Sequence, residues 1–157
     1  MATDLSTLLK GGVILDPVSA ESRKQALSML SNALGSVTQI DGRDILEAVM
    51  DRERLGSTGV GEGVAIPHAR IDRLTAPIGG FVRLYEGVDF EAVDDRPCDL
   101  IFMLIAPVGS GADHLRALAQ VSRAFRQPDL REKLRQAETA TRMANLLCPD
   151  SAKADAA

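Results

Sequence analysis

The sequence predicts a single layered α/β domain in which amphipathic helices cover a buried sheet. Apolar residues recur with helical spacing in 19–35 and 41–56, and apolar runs of strand length follow at 64–66, 78–84 and 99–106. The last run is continuously apolar, as expected for a central strand that is covered on both faces. Helices alternating with buried strands indicate a layered α/β fold, and 157 residues suffice for one core.

The N-terminal part is predicted to hold a short arm and a first long helix. Residues 5–9 and 13–15 are short apolar clusters, each typical of a short helix or strand. Ser19 is the expected N-cap of the long helix, and Gly35 is its expected end. The apolar face of this helix is expected to comprise Ala26, Leu27, Leu30, Ala33 and Leu34.

A second long helix is predicted to begin at Asp41, which can cap its first turn, and to end near Leu55 and Gly56. Asp44 lies in the first turn, where a negative charge favours the helix dipole. This placement puts Arg52 in the last turn, directly before a loop of small residues.

Three strands are predicted next. The strand at 64–66 ends at Pro67, which cannot donate a ladder hydrogen bond. The other two strands lie at 78–84 and 99–106. The turn-rich stretch 86–97 between them indicates a hairpin-like excursion.

The remaining chain is predicted to be helical. Asp113 is the expected cap of a third long helix, with His114 in its first turn. Pro128 then breaks the chain before two short helices at 129–136 and 139–147. The apolar stripe of the third helix is expected to comprise Leu115, Leu118, Ala119, Ser122 and Phe125.

Composition argues against several classes of function. A net charge of −4 and only 3% aromatic residues do not predict the basic surface or the stacking aromatic groups that bind nucleic acid, nor a basic surface for anionic lipid. Cys98 and Cys148 form no C-x-x-C pair, so neither a disulfide framework nor a zinc ribbon is expected. The apolar run 100–108 is too short for a membrane span and no signal peptide is evident, which predicts a cytoplasmic protein. We expect the domain to cover 1–149 and the small polar tail 150–157 to be disordered.

The most informative stretch is 63-GVAIPHAR-70, in which His68 follows a proline at the end of a short apolar run. Upstream, Arg52 opens the string 52-RERLGST-58. An uncharged imidazole is a nucleophile near neutral pH, and a guanidinium holds phosphate well. Together the two motifs favour phosphoryl chemistry on the imidazole over metal binding or simple burial.

The continuous string RERLGSTGVGEGVAIPHAR, residues 52–70, resembles the active-site signature of the fructose/mannitol-type IIA domains of the bacterial phosphoenolpyruvate:sugar phosphotransferase system. It is most similar to their nitrogen-regulatory branch. A weaker likeness covers 98–125, and the whole resemblance spans roughly residues 5–147. It implies a mixed, mostly parallel sheet flanked by helices on both faces. It also implies a phosphocarrier that needs no cofactor.

The resemblance implies that His68 accepts a phosphoryl group from an HPr-type phosphohistidine carrier. Such a step needs a neutral ring nitrogen, with the other ring nitrogen held by a partner. The structural alternative is a histidine that merely ends a strand. Arg52 would neutralise the transferring oxygens, and its alternative is a solvated arginine paired with Asp51 or Glu53. By charge alone, its rivals are Arg54 and Arg70.

Three further residues are implicated. Ser57 and Thr58 would bind phosphate or orient His68, with ordinary turn chemistry as the alternative. His114, near the positive end of its helix dipole, is expected to be neutral and to donate a hydrogen bond to phosphate on His68. The alternative for His114 is a half-exposed histidine at a helix start with no functional role. Asp113 is expected to cap the helix and not to act as a catalytic acid.

Two positions depart from the family pattern. Ala69 follows His68 where the family usually has glycine, so the backbone there is less permissive. Glu62 replaces a common asparagine and would repel a phosphoryl group unless its side chain points away. The run 59-GVGEG-63 is no Walker A motif, because no Gly-Lys-Ser/Thr follows it. No histidine and cysteine spacing predicts a metal site.

Three functions stay open from the sequence. The first is a phosphocarrier whose two states regulate partner proteins. The second is the IIA step of fructose or mannitol uptake, which passes phosphate to a IIB cysteine. The third is a binding module that has lost phosphotransfer. No fused IIB or IIC domain accompanies the chain, which favours regulation, so the expected partners are an HPr-type carrier, regulatory targets and, under the second function, a IIB domain.

Overall fold

Six helices and six strands lie within residues 4–149, the part of the chain that this computed structural model describes. The predicted disordered tail, 150–157, lies outside the described residues. The helices are α1 (Ser6–Leu9), α2 (Arg23–Thr38), α3 (Gly42–Leu55), α4 (Gly111–Phe125), α5 (Pro128–Gln136) and α6 (Ala140–Leu147). The strands are β1 (Val13–Ile14), β2 (Gly59–Gly61), β3 (Val64–Ala65), β4 (His68–Ile71), β5 (Ile78–Val88) and β6 (Cys98–Pro107).

The sheet is organised around β6. Strand β5 pairs with it antiparallel on one side, while β3 and β4 both run parallel to it on the other side. The order is β1-β5-β6-β3-β2, with β4 continuing the line of β3 along β6 after a break at Pro67. Strand β1 is parallel to β5 and β2 is antiparallel to β3, so parallel pairings predominate. The mixed, mostly parallel sheet is confirmed.

Helices cover both faces of this sheet. The side chains of β6 alternate between two apolar clusters, because successive residues of a strand point to opposite faces. The cluster under α2 and α3 contains Ile101, Met103 and Ile105. The cluster under α1, α4, α5 and α6 contains Leu100, Phe102 and Leu104. Burial on both faces explains why β6 is apolar without interruption after Asp99.

The predicted start and end of the first long helix are wrong. Its N-cap is Ser22, whose hydroxyl accepts a hydrogen bond from the Gln25 N–H at 3.1 Å. Ser19 cannot start the helix because the preceding residue, Val18, is still bonded to β5 as extended chain. The helix also continues past Gly35 to Thr38.

The helix α4 was also misplaced in the sequence-based prediction. Its N-cap is Ser110, whose carbonyl accepts from the His114 N–H at 2.9 Å, so Asp113 lies inside the first turn. The expected stripe is displaced by about one position, since Leu115 is exposed and Leu118 only partly buried. The buried face comprises His114, Ala117, Val121, Ala124 and Phe125.

Other expectations hold. Asp41 caps α3 by accepting from the Arg43 N–H at 2.9 Å, and α3 ends at Leu55 before Gly56. The antiparallel strands β5 and β6 confirm the hairpin around 86–97, although β5 itself extends to Val88.

Candidate functional site

Arg52, His68 and His114 meet in one open pocket of about 490 Å³. The fold brings them there from three elements. Arg52 lies in the last turn of α3, His68 begins β4, and His114 lies in the first turn of α4. The lining comprises Ala48, Asp51, Arg52, Leu55, His68, Ala69, Arg70, His114, Leu115 and Leu118.

The His68 ring is held in one tautomer. Its Nδ1 lies 2.8 Å from the carbonyl oxygen of Ile66. Because a carbonyl can only accept a hydrogen bond, Nδ1 must carry the proton and Nε2 keeps its lone pair. Pro67 fixes the backbone between the two residues. The sequence could not reveal this partner, since every residue carries the same carbonyl group.

The environment keeps His68 uncharged. Burial lowers the pKa of His68 below its usual 6.5, and the positive charge of Arg52 lowers it further. The hydrogen bond to Ile66 and the charge of Glu53 oppose these effects, but the net direction is downward. At neutral pH the ring is therefore an uncharged base.

His114 faces His68 with ring centroids 5.5 Å apart and a tilt of 53° between the ring planes. It is only 5% exposed, and within residues 4–149 its Nδ1 is buried without a hydrogen-bond partner. Burial lowers the pKa of His114, as do the charges of His68 and Arg70. A neutral ring here avoids burying a charge and a second unpaired N–H.

Arg52 is available to a ligand in the pocket. Its Nη1 donates to the Gly56 carbonyl at 3.0 Å, which holds the side chain over the end of its own helix. Of the carboxylates that could have paired with it, Asp51 bonds to Arg54, and Glu53 lies 3.4 Å from the Arg23 Nη1.

The structure distinguishes between Arg54 and Arg70, the two alternatives to Arg52 as a phosphate-binding arginine. Arg70 lines the pocket, two residues after His68 on the same strand, so the two side chains share a face. Arg54 is exposed, pairs with Asp51 and does not line the pocket.

Ser57 and Thr58 do not line the pocket, and their hydroxyls bond elsewhere. The Ser57 hydroxyl donates to the Phe90 carbonyl and accepts from the Gly59 N–H. The Thr58 hydroxyl donates to the buried carboxylate of Glu53. The Thr58 carbonyl, however, accepts from the Ile66 N–H at 3.0 Å, which steadies the segment that holds His68.

The two departures from the family pattern are accommodated. Ala69 is buried and has no positive φ, so the missing glycine costs nothing at this backbone position. Glu62 points away from His68: it lines a different cavity, and its carboxylate bonds to Arg96 at 2.9 Å.

No group of three or more histidine, cysteine, aspartate and glutamate side chains within residues 4–149 is placed to hold a metal ion. In the same residues, no helix combines the length and apolar character that crossing a membrane requires.

Comparisons with known proteins identify the family of the chain. Residues 7–148 match the family model described as phosphoenolpyruvate-dependent sugar phosphotransferase system, EIIA 2. A nitrogen regulatory protein of Bradyrhizobium diazoefficiens is 41% identical, over 91% of this chain and 94% of the relative. A fructose-specific EIIA component of Haloferax volcanii is 38% identical, over 87% of this chain and 89% of the relative. The crystal structure of the nitrogen regulatory protein IIA-Ntr of Neisseria meningitidis superposes with a TM-score of 0.82 at 33% identity. The match covers 91% of this chain and 98% of the Neisseria chain.

Proposed function

The chain belongs to the EIIA 2 family of the phosphoenolpyruvate-dependent sugar phosphotransferase system, and from that membership we propose a phosphocarrier that is phosphorylated on His68. Domains of this family are phosphotransfer carriers. The observation that supports His68 is its ring geometry: Nδ1 is tied to the Ile66 carbonyl, and Nε2 is left as the nucleophile.

The proposed step is a displacement at phosphorus. The Nε2 lone pair of His68 forms a bond to the phosphorus of an HPr-type phosphohistidine, while the P–N bond to the carrier breaks. The donor imidazole leaves with the electron pair of that bond. No oxidant, metal or cofactor takes part, and the proton on Nδ1 stays bonded to Ile66.

The other pocket residues would act on the charge of the phosphoryl group. The Arg52 guanidinium can bind two of its oxygens, and it needs to give up only one hydrogen bond to the Gly56 carbonyl. His114 can donate to a third oxygen as a neutral ring, since its low pKa keeps it from carrying a charge of its own. We assign Ser57 and Thr58 an indirect, orienting role through the loop that they tie down.

The pocket rim would receive the carrier. Leu55 and Leu115 line the pocket and are 83% and 64% exposed, which leaves large apolar side chains on either side of the histidines. Apolar contacts ringed by charged groups are typical of transient protein interfaces. An HPr-type carrier can therefore dock with its phosphohistidine over His68, and we place the protein in the cytoplasm, where such carriers act.

We further propose that the two phosphorylation states are read by regulatory partner proteins, as in a nitrogen-regulatory phosphotransferase system. A phosphoryl group adds about −1.5 to −2 charges at neutral pH. It would appear beside Leu55 and Leu115, so it would change the surface that any partner meets. The name of the relative at 41% identity supports this function.

Transport is the second candidate, because the fructose-specific relative is nearly as similar, at 38%. In that case the phosphoryl group would pass from His68 to a cysteine of a IIB domain.

The test is reconstituted phosphorylation with phosphoenolpyruvate, enzyme I and an HPr-type carrier, followed by intact mass. We expect one acid-labile phosphoryl group on the wild type and none on His68→Ala. Adding a IIB domain then separates the candidates, because rapid loss of label to IIB supports transport. A folded wild type that takes no label from its cognate carrier would leave the binding module as the better function.

A further inference from the structure

A second cavity lies at the other end of α4, remote along that helix from His114. It opens between β2, the last turn of α4 and the first turn of α5, and has a volume of about 400 Å³. It shares no lining residue with the pocket of His68. Its walls include Val60, Glu62, Ser122, Phe125, Arg126 and Arg131.

Hydrogen-bond donors on these walls lack partners within residues 4–149. The exposed Arg126 guanidinium makes no hydrogen bond or ion pair there, and the Ser122 hydroxyl makes none. Arg131 is nearly buried, with its side chain 12% exposed, and it donates through Nη1 to the Phe125 carbonyl at 2.8 Å. Its Nη2 lies 3.9 Å from the Glu62 carboxylate, beyond hydrogen-bond range.

The cavity has more positive than negative charge. Glu62 is the carboxylate on its walls, and that group already accepts from Arg96 at 2.9 Å. Arg135, close by, is neutralised separately because it bonds to both oxygens of Asp99. The cavity wall therefore carries two guanidiniums, those of Arg126 and Arg131, and one carboxylate, that of Glu62, which Arg96 binds more closely than Arg131 does.

The end of a helix carries partial negative charge, and at the end of α4 the guanidinium of Arg131 counters it by donating to the Phe125 carbonyl. The carbonyls of Ser122 and Ala124 accept from the N–H groups of Arg126 and Gln127, and that of Phe125 accepts from Arg131. These acceptors are already occupied.

We propose that this cavity is a second ligand site, which binds a small organic phosphate monoester. Two guanidiniums and a hydroxyl suit the three oxygens of a dianionic phosphoryl group. The cavity is larger than phosphate alone requires and falls in the usual range for small-molecule sites. Val60, 54% exposed at its rim, offers an apolar contact for the organic part.

The test is calorimetric titration with phenyl phosphate at low ionic strength and pH 8, in an Arg52→Gln background that removes from the His68 pocket the guanidinium proposed to hold phosphate there. We expect one saturable site, with binding weakened about tenfold or more by Arg126→Gln, since charged hydrogen bonds are the stronger class. Arg123→Gln is the matched control: it removes the same charge from an exposed position on α4 outside the cavity, and we expect no change. Amide resonances of Gly61 and Ser122 should shift on binding.

Several results would overturn the proposal. Equal weakening by Arg126→Gln and Arg123→Gln would mean diffuse attraction to a basic surface. Resonance shifts confined to the neighbourhood of His68, or no saturation, would mean that the cavity binds nothing. If benzoate bound more tightly than phenyl phosphate, the ligand of this cavity would be a carboxylate and the proposed phosphate monoester would be wrong. Ser122→Ala, which keeps every charge, provides a second variant that should weaken binding without threatening the fold.

Discussion

At the residue scale, the chemistry of His68 depends on two neighbours of different kinds. The Ile66 carbonyl selects the tautomer, and the surrounding burial keeps the ring neutral. Together they leave Nε2 as an uncharged nucleophile at a pH where an exposed histidine is already partly protonated. In the proposed phosphorylation, His68 would therefore act as a nucleophile because of its placement and would need no separate catalytic base.

The first prediction concerns pH. Burial lowers the pKa values of His68 and His114, so both should titrate below 6.5 in NMR spectra of the folded protein and near 6.5 in urea. Between the folded pKa and 6.5 the unfolded chain binds more protons. The free energy of unfolding should therefore fall as pH decreases below 6.5. A folded pKa at or above 6.5 for His68 would contradict this account of the pocket.

The second prediction concerns Arg52. Replacing it with Gln should slow phosphorylation of His68 about 10²-fold, the usual cost of one lost donor to a charged transition state. Arg52→Lys keeps the charge but loses the two-pronged geometry, so we expect an intermediate rate. Single-turnover labelling at saturating carrier measures both.

Arg54→Gln is the matched control, because Arg54 carries the same charge two residues along α3 but is exposed and paired with Asp51. We expect its rate to equal that of the wild type. Equal losses in the Arg52 and Arg54 variants would show that only the general charge matters, and would remove the specific role of Arg52.

The sequence predicted the candidate site residues but not the groups that hold them in place. His68, Arg52 and His114 were all predicted, and the structure places the three in one pocket. The partners of His68 and Arg52 escaped prediction because they are backbone carbonyls, which every residue type carries. For Ser57 the sequence left phosphate contact, orientation of His68 and turn chemistry open, and its hydroxyl donates to the Phe90 carbonyl, which is remote in sequence and holds the loop.

At the element scale, the interiors of the helices and strands were predictable from the sequence, whereas several of their ends were not. The strand β6 was predicted almost to the residue because burial on both faces imposes a continuous apolar run. The strand β4 was missed, since its polar residues His68 and Arg70 alternate with Ala69 and Ile71 over only four positions. Such a short alternating stretch becomes a strand only because β6 offers it an open edge.

The third prediction follows from Gly35, which was expected to stop α2 but lies inside it. A methyl group there would come within 2.7 Å of the Ile40 carbonyl oxygen and 3.0 Å of the Gly42 nitrogen, both on the backbone that links α2 to α3. Helix propensity alone would make Gly35→Ala stabilising by about 1 kcal/mol. We expect the steric overlap to outweigh the gain in helix propensity, with a net loss of about 1–3 kcal/mol in the free energy of unfolding.

Urea denaturation measures this change. Gly111→Ala is the control, since no atom lies within 4 Å of the added methyl group at the start of α4. We expect its midpoint to stay close to that of the wild type or to rise slightly. If Gly35→Ala were as stable as Gly111→Ala, the link between α2 and α3 would not be as close-packed as the distances indicate.

At the scale of the whole molecule, the site exists because helices from both faces reach one open edge of the sheet. Helix α3 covers one face and α4 covers the other, and β4 leaves the edge between them free. Periodicity could predict the layers but not the strand order, so it could not predict which helix ends would meet. Only the family resemblance connected His114 with His68 before the structure did.

The last prediction separates docking from chemistry. Leu55 and Leu115 line the pocket from opposite helices and are too exposed to contribute much to the core. Replacing each with Ser should raise the apparent KM for the phosphorylated carrier about tenfold or more if they anchor its docking. The rate at saturating carrier should stay unchanged, because neither residue touches the phosphoryl group in the proposed step.

Serine is chosen because it adds no charge, so the pKa values of His68 and His114 are left alone. Val37→Ser is the matched control, since Val37 is an apolar residue, 48% exposed on α2, that does not line the pocket. Its KM should equal that of the wild type. If all three variants behaved alike, the carrier would have to dock on another face, and the phosphohistidine could then reach His68 only by a different approach. If the Leu55 and Leu115 variants lost rate at saturation instead, these residues would shape the pocket and not the interface.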